Sequence, residues 1–415
     1  MIVFRPSTTD DFNAVMSLAN DLAGEGMTTL PADAEIIRKK LETSERSFKD
    51  TQTTFDRDTA KEQTYYFVVE DTETNEIIGI NALFPSVEDE FKSGIPLKNA
   101  MLNPIEQRRK DNSTKRTIAS PSPTLDQDLE FRASIVQKVN EPRFVKRRKI
   151  SFSSPYGGET EMGSTVVGPE GRGKGLSKLL VGGAISFIAG ERERFADKLF
   201  LEFRGAVDNN GAPTSGVYLS EQLLGDKLEK MGIEATFTNA DAALSHNGHG
   251  AMYDEPLPVL DVSRIPEDVK HGIGKSHYLS GRLDDIVIKY EGMPKGPAIT
   301  FDAAQGGRQN GAQIESLRTV KSITKQKNNE DWTNNLELTA SFDQVDGERF
   351  TAVINNGQSG LDFRSVMADL IITPENKVVI TEETAEAIRV PSDNLSFYYA
   401  PYGDSHPNNA PELTH

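Results

Sequence analysis

Cysteine is absent from this chain of 415 residues, which excludes disulfides, thiolate nucleophiles and cysteine-ligated metals. Positive charge is also scarce: 46 Lys and Arg stand against 63 Asp and Glu, for a formal net charge of −17. That balance argues against a nucleic-acid partner and favours cationic small molecules, although an acidic surface also serves solubility alone. No apolar run approaches the length of a membrane span. The opening Met1-Ile-Val-Phe-Arg-Pro6 lacks the basic-then-apolar layout of a secretory signal. A cytoplasmic enzyme with no membrane partner is the expectation, and the length calls for two domains.

What is present begins with a mixed pattern of strands and helices. Ile2-Val-Phe-Arg-Pro6 reads as a strand, and Thr9-Asp-Asp11 supplies caps for a helix carrying Phe12, Val15, Met16, Leu18 and Ala19 on its apolar face. Asp33 opens a second helix through Ile36, Ile37, Leu41 and Phe48. A hairpin follows, Tyr65-Tyr-Phe-Val-Val-Glu70 and Glu76-Ile-Ile-Gly-Ile-Asn-Ala-Leu83, joined by the turn Asp71-Thr-Glu-Thr-Asn75. Residues 94–128 are rich in proline, serine and charge, and read as a long surface insertion.

The most informative stretch is Ser164-Thr-Val-Val-Gly-Pro-Glu-Gly-Arg-Gly-Lys-Gly-Leu-Ser-Lys-Leu-Leu180. A β-branched run feeds a basic glycine turn, which opens straight into a helical pattern. Glycines let the backbone approach an anion, and the helix N-terminus adds N–H groups and positive potential. Gly168 to Lys174 has the GxxxxGK spacing of a P-loop, but Gly175 stands where Ser or Thr would bind Mg²⁺. The other phosphate reading is the pyrophosphate loop of the GCN5-related N-acyltransferase fold, which the preceding order of strand, two helices and hairpin supports. A buried strand, Lys198-Leu-Phe-Leu-Glu-Phe-Arg204, and a helical pattern from Tyr218 to Met231 come next. From about residue 318 the texture turns to short β-rich runs such as Phe350-Thr-Ala-Val-Ile354 and Lys377-Val-Val-Ile380.

Taken in order, several segments carry a family likeness. Gly26-Met-Thr-Thr-Leu-Pro-Ala-Asp33, Phe67-Val-Val-Glu-Asp-Thr-Glu-Thr74, Leu201-Glu-Phe-Arg-Gly205, Ile273-Gly-Lys-Ser-His277 and Phe301-Asp302 with Gly306-Gly307 follow one another through the chain. In them the chain resembles the bacterial arginine N-succinyltransferases and their arginine/ornithine relatives. The resemblance implies an α+β fold: an acyltransferase-like mixed sheet flanked by helices over residues 1–317, with a small β-rich, barrel-like module over 318–415. It implies transfer of succinyl from succinyl-CoA to the α-amine of arginine, no permanently bound cofactor, no metal, and a homo-oligomer. It also assigns His277 as proton donor.

Such chemistry needs a held pyrophosphate, a neutral amine, an oxyanion donor and a proton for the leaving thiolate. The N–H groups from Arg172 through Gly173 and Lys174 to Gly175 would take the pyrophosphate, with Arg172 or Lys174 adding charge. Thr165, Val166 and Val167 would pair with the pantetheine arm and offer an N–H to the thioester oxygen. His277 is the best side chain for proton transfer, as an imidazole ordinarily titrates near the working pH, and sequence leaves acid and base roles both open. Glu202 and Arg204 share one face of a strand and would hold substrate or satisfy one another.

Other features have plain structural explanations. Ser245-His-Asn-Gly-His249 has no convergent carboxylate, so metal binding is not expected. Lys146-Arg-Arg-Lys149 reads first as a solvated loop, and Asp10 and Asp11 read as caps. The chain departs from the family over residues 212–260, where Ala212-Pro-Thr-Ser-Gly216 and Gly250-Ala-Met-Tyr-Asp-Glu-Pro-Leu-Pro258 stand. That leaves ornithine, another amine or another acyl group open, beside a non-catalytic CoA binder.

Overall fold

The computed structural model describes residues 1–23, 30, 32–50, 54–88, 99–108, 144–153, 157–203, 215–230, 232, 260–272, 286–287, 293, 300–302, 309–314, 336–375, 377–390 and 398–402. Its first strand, β1 (Ile2–Pro6), leads into helices α1 (Phe12–Ala23) and α2 (Ala34–Lys49). Asp33 caps α2 by accepting the N–H groups of Glu35 and Ile36, and Arg46 and Lys49 sit at its last turn, where cations suit the helix dipole. Asp11 is a structural residue: it accepts the Thr8 N–H and both terminal nitrogens of Arg5 at 2.8–2.9 Å.

The hairpin is β2 (Tyr65–Asp71) and β3 (Glu76–Glu88). After β4 (Asn99–Arg108) and β5 (Phe144–Ser153) come β6 (Gly157–Val167), the helix Leu176–Gly190 and β7 (Lys198–Glu202). Short strands β8 (Leu260–Asp261), β9 (Thr300–Asp302) and β10 (Gln309–Gln313) precede β11 (Leu336–Thr339), β12 (Glu348–Asn355), β13 (Ser365–Ile372), β14 (Val378–Thr381) and β15 (Tyr398–Tyr402). The main sheet runs β10-β7-β6-β3-β2-β1-β13-β12-β15, with β14 on β13 and β11 on β14. Its pairs are antiparallel except β6 with β7 and β11 with β14. The large mixed sheet flanked by helices is therefore present.

Apolar residues on both faces of β2 explain why it lies deep in the sheet. Tyr65, Phe67 and Val69 pack with Phe4, Phe187 and the helix Leu176–Gly190 on one side. Tyr66 and Val68 pack with α1 and α2 on the other. Phe4 stacks on Phe67 with ring centres 4.6 Å apart, and Phe187 meets Phe67 edge-on at 5.1 Å. The helix Leu176–Gly190 is buried from Leu179 through Ala189, as expected of a helix apolar all round. Its N-terminus is thereby fixed against the sheet.

Three differences from the sequence-based expectations concern strands, the last two in a second, four-stranded sheet ordered β8-β5-β4-β9. The strands after residue 336 have an apolar cluster of their own, but it includes Val3, and β13 pairs directly with β1 through Val3↔Val366 and Phe4↔Ser365. They extend the main sheet, and among the described residues β11 and β15 each have one neighbour, so no barrel closes there. Within the segment expected as a surface insertion, residues 99–108 form β4, which pairs with β5 along its whole length. Pro104 is tolerated because β9 reaches only positions 99–101, so that among the described residues no strand pairs with Pro104 on that side. Lys146-Arg-Arg-Lys149, expected as a loop, lies in β5; its charged composition hid a strand.

Candidate acyl-donor site

The glycine segment follows β6 where its pairing with β7 has ended. β6 runs beside β3 from Gly157 to Val167, but it pairs with β7 only at Thr160, Met162 and the residue between them. β7 ends at Glu202, and among the described residues no strand pairs with the Gly163–Val167 edge of β6 on that side. Such an edge accepts an extended ligand by strand-like pairing. Thr165, Val166 and Val167 all lie on it.

A bulge shapes this edge. Gly163 pairs with Ala82 and Val166 with Ile80, so Ser164 and Thr165 together face the single residue Asn81. Ser164 has φ 49°, an uncommon conformation for a residue with a side chain. Asn81 is fully buried, and its Nδ2 donates to Thr165 Oγ1 at 2.8 Å. Its Oδ1 has no hydrogen-bond partner among the described residues.

At the end of β6 the chain turns through Pro169–Gly171 into the helix at Leu176. Gly173 and Gly175 have φ of 83° and 75°, both left-handed, and Gly175 is the helix N-cap. Those two conformations explain the glycines. The N–H groups of Arg172 and Lys174 are engaged in turn bonds to the carbonyls of Pro169 at 3.2 Å and Gly171 at 3.3 Å, so an anion at this loop would be met by the helix start and the two side chains. Arg172 and Lys174 are exposed there.

Lys174 is held by the hairpin: its Nζ lies 3.3 Å from Asp71 Oδ2. Burial opposes ionisation of Asp71, but the Glu73 N–H and Lys174 outweigh it and hold the carboxyl below its usual range. At neutral pH Asp71 is thus an anion competing for the loop's cation. Asp71→Asn is expected to tighten CoA binding about two- to fivefold, the range of an exposed ion pair. Calorimetric titration would show the gain shrinking as salt rises; an unchanged Kd would mean that Lys174 does not reach the ligand.

Glu202 closes β7 with its backbone opposite Gln309; its side chain, with all of Arg204 and His277, lies outside the described residues. Asn81 and Asp71 escaped the sequence reading. A lone Asn inside the apolar run Ile77 to Leu83 was the available signal for the first; nothing local marked the second. Among the described residues, no group of three or more His, Asp or Glu is placed to hold a metal, and no helix is long and apolar enough to cross a membrane.

The comparison with known proteins decides the family. The AstA model, arginine N-succinyltransferase beta subunit, matches residues 2–90 and 130–319. The chain belongs to the arginine N-succinyltransferase family. The family model passes over 91–129, the region of the segment read as an insertion. Arginine N-succinyltransferases of Escherichia coli (strain UMN026) and Shigella flexneri (serotype 5b, strain 8401) are 27% identical over 289 residues, covering 69% of this chain. The matched stretch spans 65% of the length of those relatives. In fold, the chain is similar to arginine/ornithine succinyltransferase subunit AI from Pseudomonas aeruginosa, with a TM-score of 0.68 and 21% identity, over 97% of this chain and 99% of that one.

Proposed function

We propose that this protein is an arginine N-succinyltransferase, which moves succinyl from succinyl-CoA to the α-amine of L-arginine. The observation that carries the proposal is the stretch of β6 from Gly163 to Val167, which has no strand partner on the β7 side among the described residues and leads into the glycine loop at a helix N-terminus, in a chain of this family. It supports the reading as a GCN5-related N-acyltransferase, in which a strand edge would take the pantetheine arm and the loop would cradle the pyrophosphate.

Arg172, Gly173, Lys174 and Gly175 hold the diphosphate, while Thr165, Val166 and Val167 align the arm. An N–H of that edge donates to the thioester oxygen as negative charge develops on it. The neutral α-amine attacks the carbonyl carbon directly, the C–S bond breaks, and the amine's proton is lost as the thiolate gains one. His277 serves one of those proton transfers. Glu202 and Arg204 would face the amino acid, the carboxylate of Glu202 pairing with the guanidinium. Succinyl-CoA is a substrate here, with no resident cofactor. The enzyme is a cytoplasmic homo-oligomer whose catalytic region is 1–317 and whose β-rich region is 318–415, the two sharing one sheet through β1 and β13.

A thiol-release assay tests the activity. Succinyl-CoA with arginine is expected to liberate free thiol, while acetyl-CoA and lysine serve as poorer partners. Faster release with ornithine would reassign the acceptor, as the divergence over residues 212–260 allows. No release with any pairing would reduce the protein to a CoA binder or remove the proposal altogether.

A further inference from the structure

Resting on that reading, we infer that Asn81 is a donor-binding residue, its side-chain oxygen accepting an amide N–H of the pantetheine arm. Asn81 is fully buried in β3, on the sheet face where Phe67 and Leu83 meet the helix Leu176–Gly190. Its amide offers two polar atoms. Nδ2 is used on Thr165 Oγ1 at 2.8 Å, and Oδ1 has no partner among the described residues. Turning the amide over would satisfy the oxygen from the threonine hydroxyl and leave the nitrogen bare instead. Either way one buried polar atom is unmet, a cost that folding alone does not recover.

Its position indicates what meets that need. Asn81 stands opposite the Ser164–Thr165 bulge, one strand in from the β6 edge that no strand pairs among the described residues. The bulge turns the half-buried Thr165 towards Asn81, so the pair forms a polar spot at the margin of the apolar cluster that includes Phe67, Leu83 and Met162. A pantetheine arm carries two amides, and one laid along the β6 edge would bring an amide past this spot. An apolar residue at position 81 would pack better in the free protein. The asparagine gives up stability for a contact that exists only when the donor is bound.

The two effects have opposite signs, which makes the inference testable. Asn81→Leu keeps the volume and removes the orphaned atom. Its ligand-free melting temperature is expected to equal or exceed that of the wild type. Its KM for succinyl-CoA should rise about tenfold, the loss of one buried hydrogen bond, with kcat within about twofold. The upward melting shift given by CoA should shrink correspondingly. Should Asn81→Leu not fold, Thr165→Val decides: it removes the group that orients the amide, and should raise the same KM several-fold with kcat kept. A variant that loses stability yet keeps the wild-type KM and CoA shift would make Asn81 purely structural and overturn the inference. If wild-type protein itself shows no CoA shift, the donor reading fails first, and Asn81 with it.

Discussion

Gly175→Val is expected to lower kcat/KM for succinyl-CoA by about 100-fold, the scale on which catalysis responds to a displacement of about 1 Å. The reason is backbone conformation, not crowding. Gly175 has φ 75° at the N-cap, and a side chain there costs about 1–2 kcal/mol, more when β-branched. A Cβ at this position would meet only the flexible end of Met367, at 3.3 Å. The loop therefore relieves the strain by rotating its peptides, which reorients the start of the helix and the neighbouring Lys174. Since the helix behind is buried through Ala189, the fold should survive with only a small drop in melting temperature. Steady-state kinetics with the donor varied would place the loss mainly in KM. A variant with unchanged KM would show that the helix start does not hold the diphosphate. Gly173→Ala makes a milder companion: φ is 83° but among the described residues no atom lies within 4 Å of the added carbon, so a smaller loss of the same kind should follow.

The extent to which the sequence foretold this site depended on how local each signal was. The hairpin at Tyr65–Asp71 and Glu76–Glu88 was legible because β-branched and aromatic runs flank a polar turn. The loop and its helix were legible because glycine and charge fall between two apolar patterns. The partners of Asn81 and Lys174 lie 84 and 103 residues away in the chain, and no local pattern encodes such pairings. The same holds for β13 on β1: Val366 and Val3 read equally well as parts of two separate sheets. In β4 and β5 composition misled, because proline and runs of arginine and lysine resemble a solvated loop while still permitting strands of a small four-stranded sheet with β8 and β9.

His277→Ala is expected to lower kcat by about 10²- to 10⁴-fold, the usual contribution of a positioned acid or base, while KM for succinyl-CoA changes by no more than a few fold. The physical demand is firm even though the residue lies outside the described part of the chain. An α-amine is mainly protonated at neutral pH and cannot attack until it loses a proton, and a thiolate leaves more readily once it gains one. An imidazole exchanges protons near that pH, whereas Asp71 is held ionised and Lys174 is engaged in its ion pair. The direction of the pH profile separates the two roles. If His277 is the base, kcat should climb as pH rises through the imidazole range, and that rising limb should vanish in the alanine variant. If it is the acid, kcat should fall over the same interval, and the falling limb should vanish. A variant that keeps both rate and profile would exclude His277 from the mechanism and leave proton transfer to water or to the substrate amine itself.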